Sequence, residues 1–315
     1  MKSLWQRLTG RLERDDRRQA SSVNAEDGEV LARRLELLAG YRVLRALDHD
    51  VGVERLPCAV AGERVAAVID CETTGLDVAA DRMIEFAAQR FLFGPDGRVR
   101  AVERVQSWRE DPGGPLPERL VRLTGLTDAD LHAHHFDDAA IVALLESVDL
   151  IIAHNAAFDR PFVEHRFPKL SACAWACSLS QLDWLELGYD GRALGHLLLQ
   201  SGHFFEGHRA AQDVVALTTL LSLERDDGRT ILWHMLERCE RDTFRVEAVA
   251  APYDAKDLLK RRGYRWDAGA RYWWREVDED MVGAECDWLD RHVYRGRGKP
   301  SLRRITARDR FRHSK

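Results

Sequence analysis

The sequence of 315 residues contains no long hydrophobic run. A helix that crosses a bilayer needs about 20 consecutive apolar residues, and no stretch here reaches that length. The start of the chain carries Lys2 and several arginines but no apolar segment of the signal-peptide type. An Arg-rich start also fits an organellar transit peptide, but Glu13, Asp15 and Asp16 interrupt it. We therefore expect no export and no membrane contact.

Cysteine is scarce and scattered, with six residues in the whole chain. Cys173 and Cys177 stand four positions apart, which is not the spacing of a zinc knuckle, and no second pair follows. Thiols in apolar surroundings are more often core residues. The pattern excludes a disulfide scaffold and indicates a reduced, cytoplasmic protein.

A positive net charge is also lacking, since 47 basic and 52 acidic residues give −5. The distribution is more informative than the sum. Residues 291–315 contain ten Lys or Arg against one acid, Asp309. Such a segment is a candidate for phosphate binding, and it is equally typical of a solvated or disordered tail.

Two acids follow a short apolar run in the stretch RVAAVIDCETTGLD, residues 64–77. Val65–Ile69 predicts a strand buried on both faces, ended by a Thr-Thr-Gly turn. Side chains at i and i+2 of a strand share a face, so Asp70 and Glu72 point the same way. Their repulsion would be relieved by a hard cation such as Mg²⁺ or Mn²⁺, which prefers oxygen ligands. Alone, this pair is more often an ordinary solvated strand end.

A third acid lies in LIIAHNAAFD, residues 150–159. Asn155 is a good N-cap, and Asp159 falls in the first turn of a helix that leaves a buried strand. Strand ends of α/β sheets are where sites form, and the helix dipole favours a carboxylate there. By itself, Asp159 is more often a helix-start acid without further function.

A fourth acid and a histidine lie in EGHRAAQD, residues 206–213. Five positions do not align on one helix face. We therefore expect His208 in a loop opened by Gly207 and Asp213 on the following helix. A lone histidine before a helix is usually a surface residue or a cap.

Taken together, the motifs DCETTGL, HNAAFD and HRAAQD resemble, in order and spacing, the DnaQ-like 3′→5′ exonucleases of the DEDDh type. The sequence is similar to the family of the DNA polymerase III epsilon subunit. The segment 115–127 also resembles the Pro-rich loop and G-I-T segment of that family. The resemblance covers about residues 62–223, half of the chain.

The resemblance implies an α/β fold with a ribonuclease H-like mixed sheet and flanking helices. It implies that Asp70, Glu72, Asp159 and Asp213 bind two Mg²⁺ or Mn²⁺ ions and that His208 takes the proton from the attacking water. It also implies a pocket for the terminal nucleotide. The candidate substrate-binding residues are Thr73, Thr74, Gly75, Leu76, His154, Asn155 and Phe158, of which Phe158 is equally a core candidate.

Composition and periodicity predict four segments. They are an N-terminal helical extension over 1–61, an exonuclease domain over 62–226, a connecting helix over 227–243 and a small Trp/Arg-rich α+β module with a basic tail over 244–315. The elements predicted outside the motifs include a helix within 1–22, helices over Asn24–Leu38, Tyr41–Leu47 and Leu179–Leu187, and a strand over Arg98–Trp108. In the small module, Trp266 and one of Trp273 and Trp274 are expected in the core, because adjacent strand residues face opposite ways.

The predicted function is metal-dependent 3′→5′ exonuclease action on single-stranded DNA ends, in repair or proofreading, with a polymerase or replisome partner. The enzyme alternative is an exoribonuclease on the same fold, since nothing in the motifs reads the 2′-hydroxyl. The non-enzyme alternative is a nucleic-acid or replisome interaction module with vestigial activity.

Overall fold

The computed structural model describes residues 25–312, and the helix predicted within residues 1–22 lies outside them. The strands are β1 (Arg45–Ala46), β2 (Arg64–Thr73), β3 (Met83–Phe93), β4 (Val99–Val102), β5 (Gln106–Arg109), β6 (Leu150–Ala153), β7 (Trp175–Cys177), β8 (His203–Phe204), β9 (Thr243–Ala248), β10 (Arg265–Asp267), β11 (Tyr272–Asp278) and β12 (Ser301–Ile305). The α-helices are α1 (Ala25–Glu36), α2 (Glu118–Thr124), α3 (Asp128–Leu131), α4 (Asp138–Glu146), α5 (Ala156–Arg166), α6 (Ser178–Gln181), α7 (Leu194–Gln200), α8 (Ala210–Ser222), α9 (Ile231–Cys239), α10 (Lys256–Arg261) and α11 (Val282–Leu289).

A mixed sheet organises the larger part of the molecule. Its strand order is β4-β3-β2-β6-β7, and β5 also pairs with β3. The neighbours β2 and β3 run antiparallel, whereas β6 and β7 continue the sheet in parallel with β2. The predicted mixed α/β fold with flanking helices is confirmed.

Helices cover both faces of this sheet, as the alternation along β2 requires. Ala66 and Val68 face one core, which is filled mainly by α7, α8 and α9. Ala67 and Ile69 face the other core, with α4, α5 and the fully buried Trp175. Because both faces are covered, β2 is a continuous apolar run up to the point where its acids begin.

The C-terminal part forms a second, antiparallel sheet in the order β10-β11-β9-β12. One face packs on α10 and α11 through Val246, Leu259 and Leu289. Trp273 joins this cluster, whereas Trp274 faces the other way, with the Arg245 guanidinium 4.2 Å from its ring centroid. The prediction that one of the two adjacent tryptophans is core is therefore confirmed.

The basic segment 291–312 is folded, not a solvated tail. Its strand β12 pairs with β9, and the chain then returns to the large sheet. There the Trp175 backbone N–H donates to the Ala307 carbonyl at 2.9 Å, and Phe311 packs on the core beneath α5. Arg310 is buried, with its guanidinium donating to the Cys239 carbonyl at 2.8 Å.

Several predicted elements were wrong. The segment Tyr41–Leu47 contains no helix; instead β1 pairs in parallel with β8. The expected strand Arg98–Trp108 is split into β4 and β5, which both pair with β3. The helix expected over Leu179–Leu187 is only the short α6.

Trp266 was also wrongly placed in the core. It lies on the edge strand β10 and is 49% exposed, with its ring centroid 5.5 Å from that of Trp273.

Among residues 25–312, no helix combines the length and the apolar character that crossing a bilayer requires.

Candidate active site

The first two acids lie at the carboxyl end of β2, where the apolar run stops. Cys71 and Thr73 point into buried surroundings, while Asp70 and Glu72 alternate with them and are half-buried. This alternation places both carboxylates on one face, as predicted. Asp70 is opposite Ala87 on β3, and Glu72 is opposite Glu85.

The third motif brings a further carboxylate to the same place. Side-chain oxygens of Asp70, Glu72 and Asp213 all lie within 4.8 Å of one another. Asp213 stands in the first turn of α8, as expected, and its Oδ2 accepts the backbone N–H groups of His208 at 2.9 Å and Arg209 at 3.2 Å. The carboxylate therefore also fixes the loop that precedes its own helix.

Asp159 is the most buried of the four acids, with 3% of its surface exposed. It lies in the first turn of α5, and its Oδ1 accepts a hydrogen bond from the Cys71 thiol at 3.2 Å. It is not part of the 4.8 Å group, but its negative charge contributes to the raised pKa values of Asp70 and Glu72. The sequence thus brings all four predicted acids to one end of the sheet.

The four carboxyl groups are costly to ionise together. Burial is the largest cause in each case and raises the pKa of Glu72 to about 8 and that of Asp159 to about 7. Burial, followed by the neighbouring carboxylates, raises the pKa of Asp70 well above its ordinary value, and burial raises the pKa of Asp213. Bound cations would reverse this penalty, because they favour the ionised form.

A fifth carboxylate, Glu85 on β3, is buried beside the cluster, where two arginines form ion pairs with it. Its oxygens accept from Arg209 at 3.0 Å, from Arg109 at 3.3 Å and from the backbone N–H of Ala210 at 3.1 Å. Glu85 therefore ties the start of α8 to the central sheet.

His208 lies in the loop before α8, as predicted, and it is exposed. Its φ of 67° is left-handed, a region that is uncommon for residues with a side chain. The hydrogen bond from its N–H to Asp213 holds this conformation. His208 thus lies at the exposed end of the loop that Asp213 holds.

The turn after β2 carries four candidate substrate-binding residues. Thr73 is buried and donates its hydroxyl to the Gly75 carbonyl at 2.6 Å, and the Thr74 hydroxyl donates to Asp81 at 3.0 Å. A Cβ at Gly75 would lie 2.4 Å from an Asp81 oxygen, so a larger residue there would displace the Asp81 carboxylate from its bond with Thr74. Leu76 is 84% exposed and offers apolar surface at the mouth of the site.

The candidates near α5 differ in their surroundings. The two ring nitrogens of His154 contact the Ser178 hydroxyl at 2.8 Å and the Arg192 carbonyl at 2.9 Å, and burial lowers its pKa to about 4. Asn155 occupies the N-cap position of α5, as predicted, but its side chain makes no capping bond and its φ is 109°. Phe158 is half-buried and packs against Phe162 at 5.2 Å between ring centroids.

Sequence reasoning missed two residues that organise the site. Cys71 was interpreted only as a residue between two acids, although strand alternation placed it on the opposite face. Glu85 was not singled out from the sequence. A charged residue inside the otherwise apolar run MIEFAA was the signal that could have revealed a buried carboxylate with partners.

The segment that contains the four acids is similar in sequence to known exonucleases and DNA polymerases. Residues 67–221 match the family model RNase_T, described as exonuclease. The PolC-type DNA polymerase III of Bacillus subtilis is 31% identical over 161 residues, covering 47% of this chain and 10% of the polymerase. The PolC-type enzyme of Listeria monocytogenes is 27% identical over 139 residues, covering 42% and 9%.

Among solved structures, E. coli Exonuclease I in complex with a dA16 oligonucleotide is similar, with a TM-score of 0.45 and 17% identity. The match covers 68% of this chain and 63% of that one. The chain spans about a tenth of the length of the polymerases it matches. On the family match and the ordered acidic motifs, residues 67–221 of this chain form a DnaQ-like exonuclease domain.

Proposed function

We propose that this protein is a metal-dependent 3′→5′ exonuclease that releases nucleoside 5′-monophosphates from single-stranded DNA ends. The observation that carries the proposal is the convergence of Asp70, Glu72 and Asp213 oxygens within 4.8 Å, beside buried Asp159, in an exonuclease-family segment. DNA as substrate is supported by the polymerase relatives, which are named for DNA synthesis.

The four acids suit hard divalent cations. Their donors are all carboxylate oxygens, the kind that Mg²⁺ and Mn²⁺ prefer. The raised pKa values of Glu72 and Asp159 are relieved when positive charge is added. We propose that Asp70, Glu72, Asp159 and Asp213 hold two such ions. When bound, a metal pair activates a water and stabilises charge on the transferred phosphoryl oxygens.

We assign proton transfer and substrate binding to side chains of this chain. The His208 imidazole accepts the proton of the attacking water, a task for which histidine is suited near neutral pH. The turn Thr73–Leu76 receives the terminal nucleotide, with the exposed Leu76 side chain against its apolar surface. His154, Asn155 and Phe158 line the same pocket, His154 by fixing the loop near Arg192.

We also propose a division of the chain, a partner and a location. We divide the chain into a helical extension over 1–61, the exonuclease domain over 62–226, a connecting helix over 227–243 and the Trp/Arg-rich module over 244–315. The relatives are DNA polymerases, so we propose proofreading or repair beside a polymerase partner. All six cysteines are free, which fits a reduced, cytoplasmic location.

The first experiment digests a 5′-labelled single-stranded DNA oligomer and its RNA equivalent with Mg²⁺, Mn²⁺ or EDTA. The expected result is a metal-dependent ladder shortening from the DNA 3′ end, which Asp70→Ala abolishes without unfolding the protein. Preference for RNA would retain the mechanism and change the substrate. Binding of either oligomer without cleavage would favour the interaction-module alternative.

A further inference from the structure

Arg160 follows Asp159 on α5 and is fully buried, with 0% of its surface exposed. Its guanidinium donates to Glu164 at 2.7 Å, to the Arg310 carbonyl at 2.6 Å and to the Arg308 carbonyl at 2.7 Å. It also lies 5.6 Å from the ring centroid of buried Trp175. A buried charge next to a catalytic candidate thus takes two of its acceptors from the far end of the chain.

The segment 306–312 is shaped to present these carbonyls. Asp309 accepts from the Thr306 backbone N–H at 3.0 Å and from its hydroxyl at 2.6 Å, and the Arg310 N–H donates to the Thr306 carbonyl at 3.2 Å. This closes a turn whose carbonyl groups face α5. The turn is anchored independently, through the Arg310 guanidinium and the Phe311 ring.

Burying a guanidinium is unfavourable unless its N–H groups have partners. Without the Arg308 and Arg310 carbonyls, Glu164 and the more distant Ser171 carbonyl, at 3.4 Å, would remain to it. The charge would then be relieved by turning its helix segment toward water, and Asp159 would move with it. The bond from the Cys71 thiol to Asp159, 3.2 Å long, would be lost in that movement.

We propose that Arg160 is a positioning residue through which the segment 306–312 holds Asp159 in its metal-binding place. This inference rests on the proposed function. The segment lies outside residues 67–221, so this chain adds a support that the family match does not include. The C-terminal module is thereby coupled to the catalytic chemistry without touching substrate.

The test uses the full chain, three test variants, one matched control and one conservative variant. Arg160→Met removes the donors, Asp309→Ala opens the turn that presents the carbonyls, and the third variant combines both. Arg245→Met is the matched control, because Arg245 is also buried and its guanidinium pairs with Asp267 at 2.8 Å in the small sheet. Arg160→Lys keeps the charge but cannot donate to two carbonyls in one plane.

Two readouts separate positioning from general stability. Isothermal titration measures Mn²⁺ affinity without DNA, and steady-state kinetics measure kcat and the KM for a single-stranded oligomer. We expect Arg160→Met to weaken Mn²⁺ binding and lower kcat by about 10–100-fold, as for other residues that orient metal ligands. The KM for DNA should stay within about twofold, and Arg160→Lys should restore part of the loss.

The double variant tests the coupling. If both residues act through one contact, it should be no worse than the more severe single variant. Wild-type Mn²⁺ affinity in folded Arg160→Met, or losses that multiply in the double variant, would overturn the inference. If Arg160→Met does not fold, Asp309→Ala must show the loss alone, and wild-type affinity there would also overturn it. If the wild type binds Mn²⁺ without cleaving DNA, the proposed function is refuted. The Mn²⁺ affinities of the variants would then still decide whether Arg160 positions Asp159.

Discussion

Raising the pH from 5 to 7 in EDTA is expected to destabilise the folded protein. In the folded state burial raises the pKa of Glu72 from about 4.5 to about 8. Between these values the folded chain binds more protons than the unfolded chain, so the free energy of unfolding falls as the pH rises. This is opposite to the usual behaviour of an acid in an ion pair, whose pKa is lowered on folding.

The size of the effect follows from the same values. With one pKa unit equal to 1.36 kcal/mol, Glu72 alone lowers the free energy of unfolding by about 2–3 kcal/mol over this range. For a domain of this size that corresponds to a Tm lower by about 5–10 °C. The pKa of Asp159 is raised to about 7, so its contribution has the same sign.

Thermal melting in EDTA at pH 5, 6 and 7 measures the effect, with Glu72→Gln as the control. Glutamine keeps the shape of the side chain and removes its titration, so the variant should lose less Tm across the range. Mn²⁺ added at pH 7 should recover the wild-type Tm, because it binds the ionised carboxylates of the folded state. Equal slopes in the two proteins, or a wild-type Tm that rises with pH, would refute the reasoning.

Three further changes address single residues. Asp213→Asn should abolish cleavage at an almost unchanged Tm, and substantial residual activity in the oligomer assay would contradict its role as a metal ligand. His208→Ala should lower kcat by about 10²–10⁴-fold, whereas an unchanged rate would identify another base. Gly75→Ala should lower both Tm and activity, because its Cβ would lie 2.4 Å from an Asp81 oxygen. Alanine at Gly114, whose Cβ would meet nothing within 4 Å, is the control; equal losses at both positions would show that the Asp81 contact is not the cause.

The acids were predictable because local rules determine their placement. An apolar run long enough for a strand fixed the face shared by Asp70 and Glu72. Short loops then placed Asp159 and Asp213 in the first turns of the helices that follow. The motif order supplied what no single motif could, namely that the separate acids converge.

The failures share a different cause, which is pairing with distant residues. The segment around Arg45 has apolar spacing that suits a helix, but it pairs with β8 far along the chain. The basic tail was ambiguous because its strand forms only against β9, and the burial of Arg310 depends on carbonyls near residue 240. The ion pairs of Glu85 with Arg109 and Arg209 likewise depend on residues from separate parts of the chain.

The contact between the Trp175 backbone N–H and the Ala307 carbonyl also bears on the exposed edge of the large sheet. β7 is the outer strand of the large sheet, and an outer strand offers unpaired backbone groups to any other chain. Here the returning C-terminal segment occupies part of that border and brings charged Arg308 and Arg312 beside it. The turn over residues 306–312 thus covers part of the backbone edge with which another chain could otherwise pair.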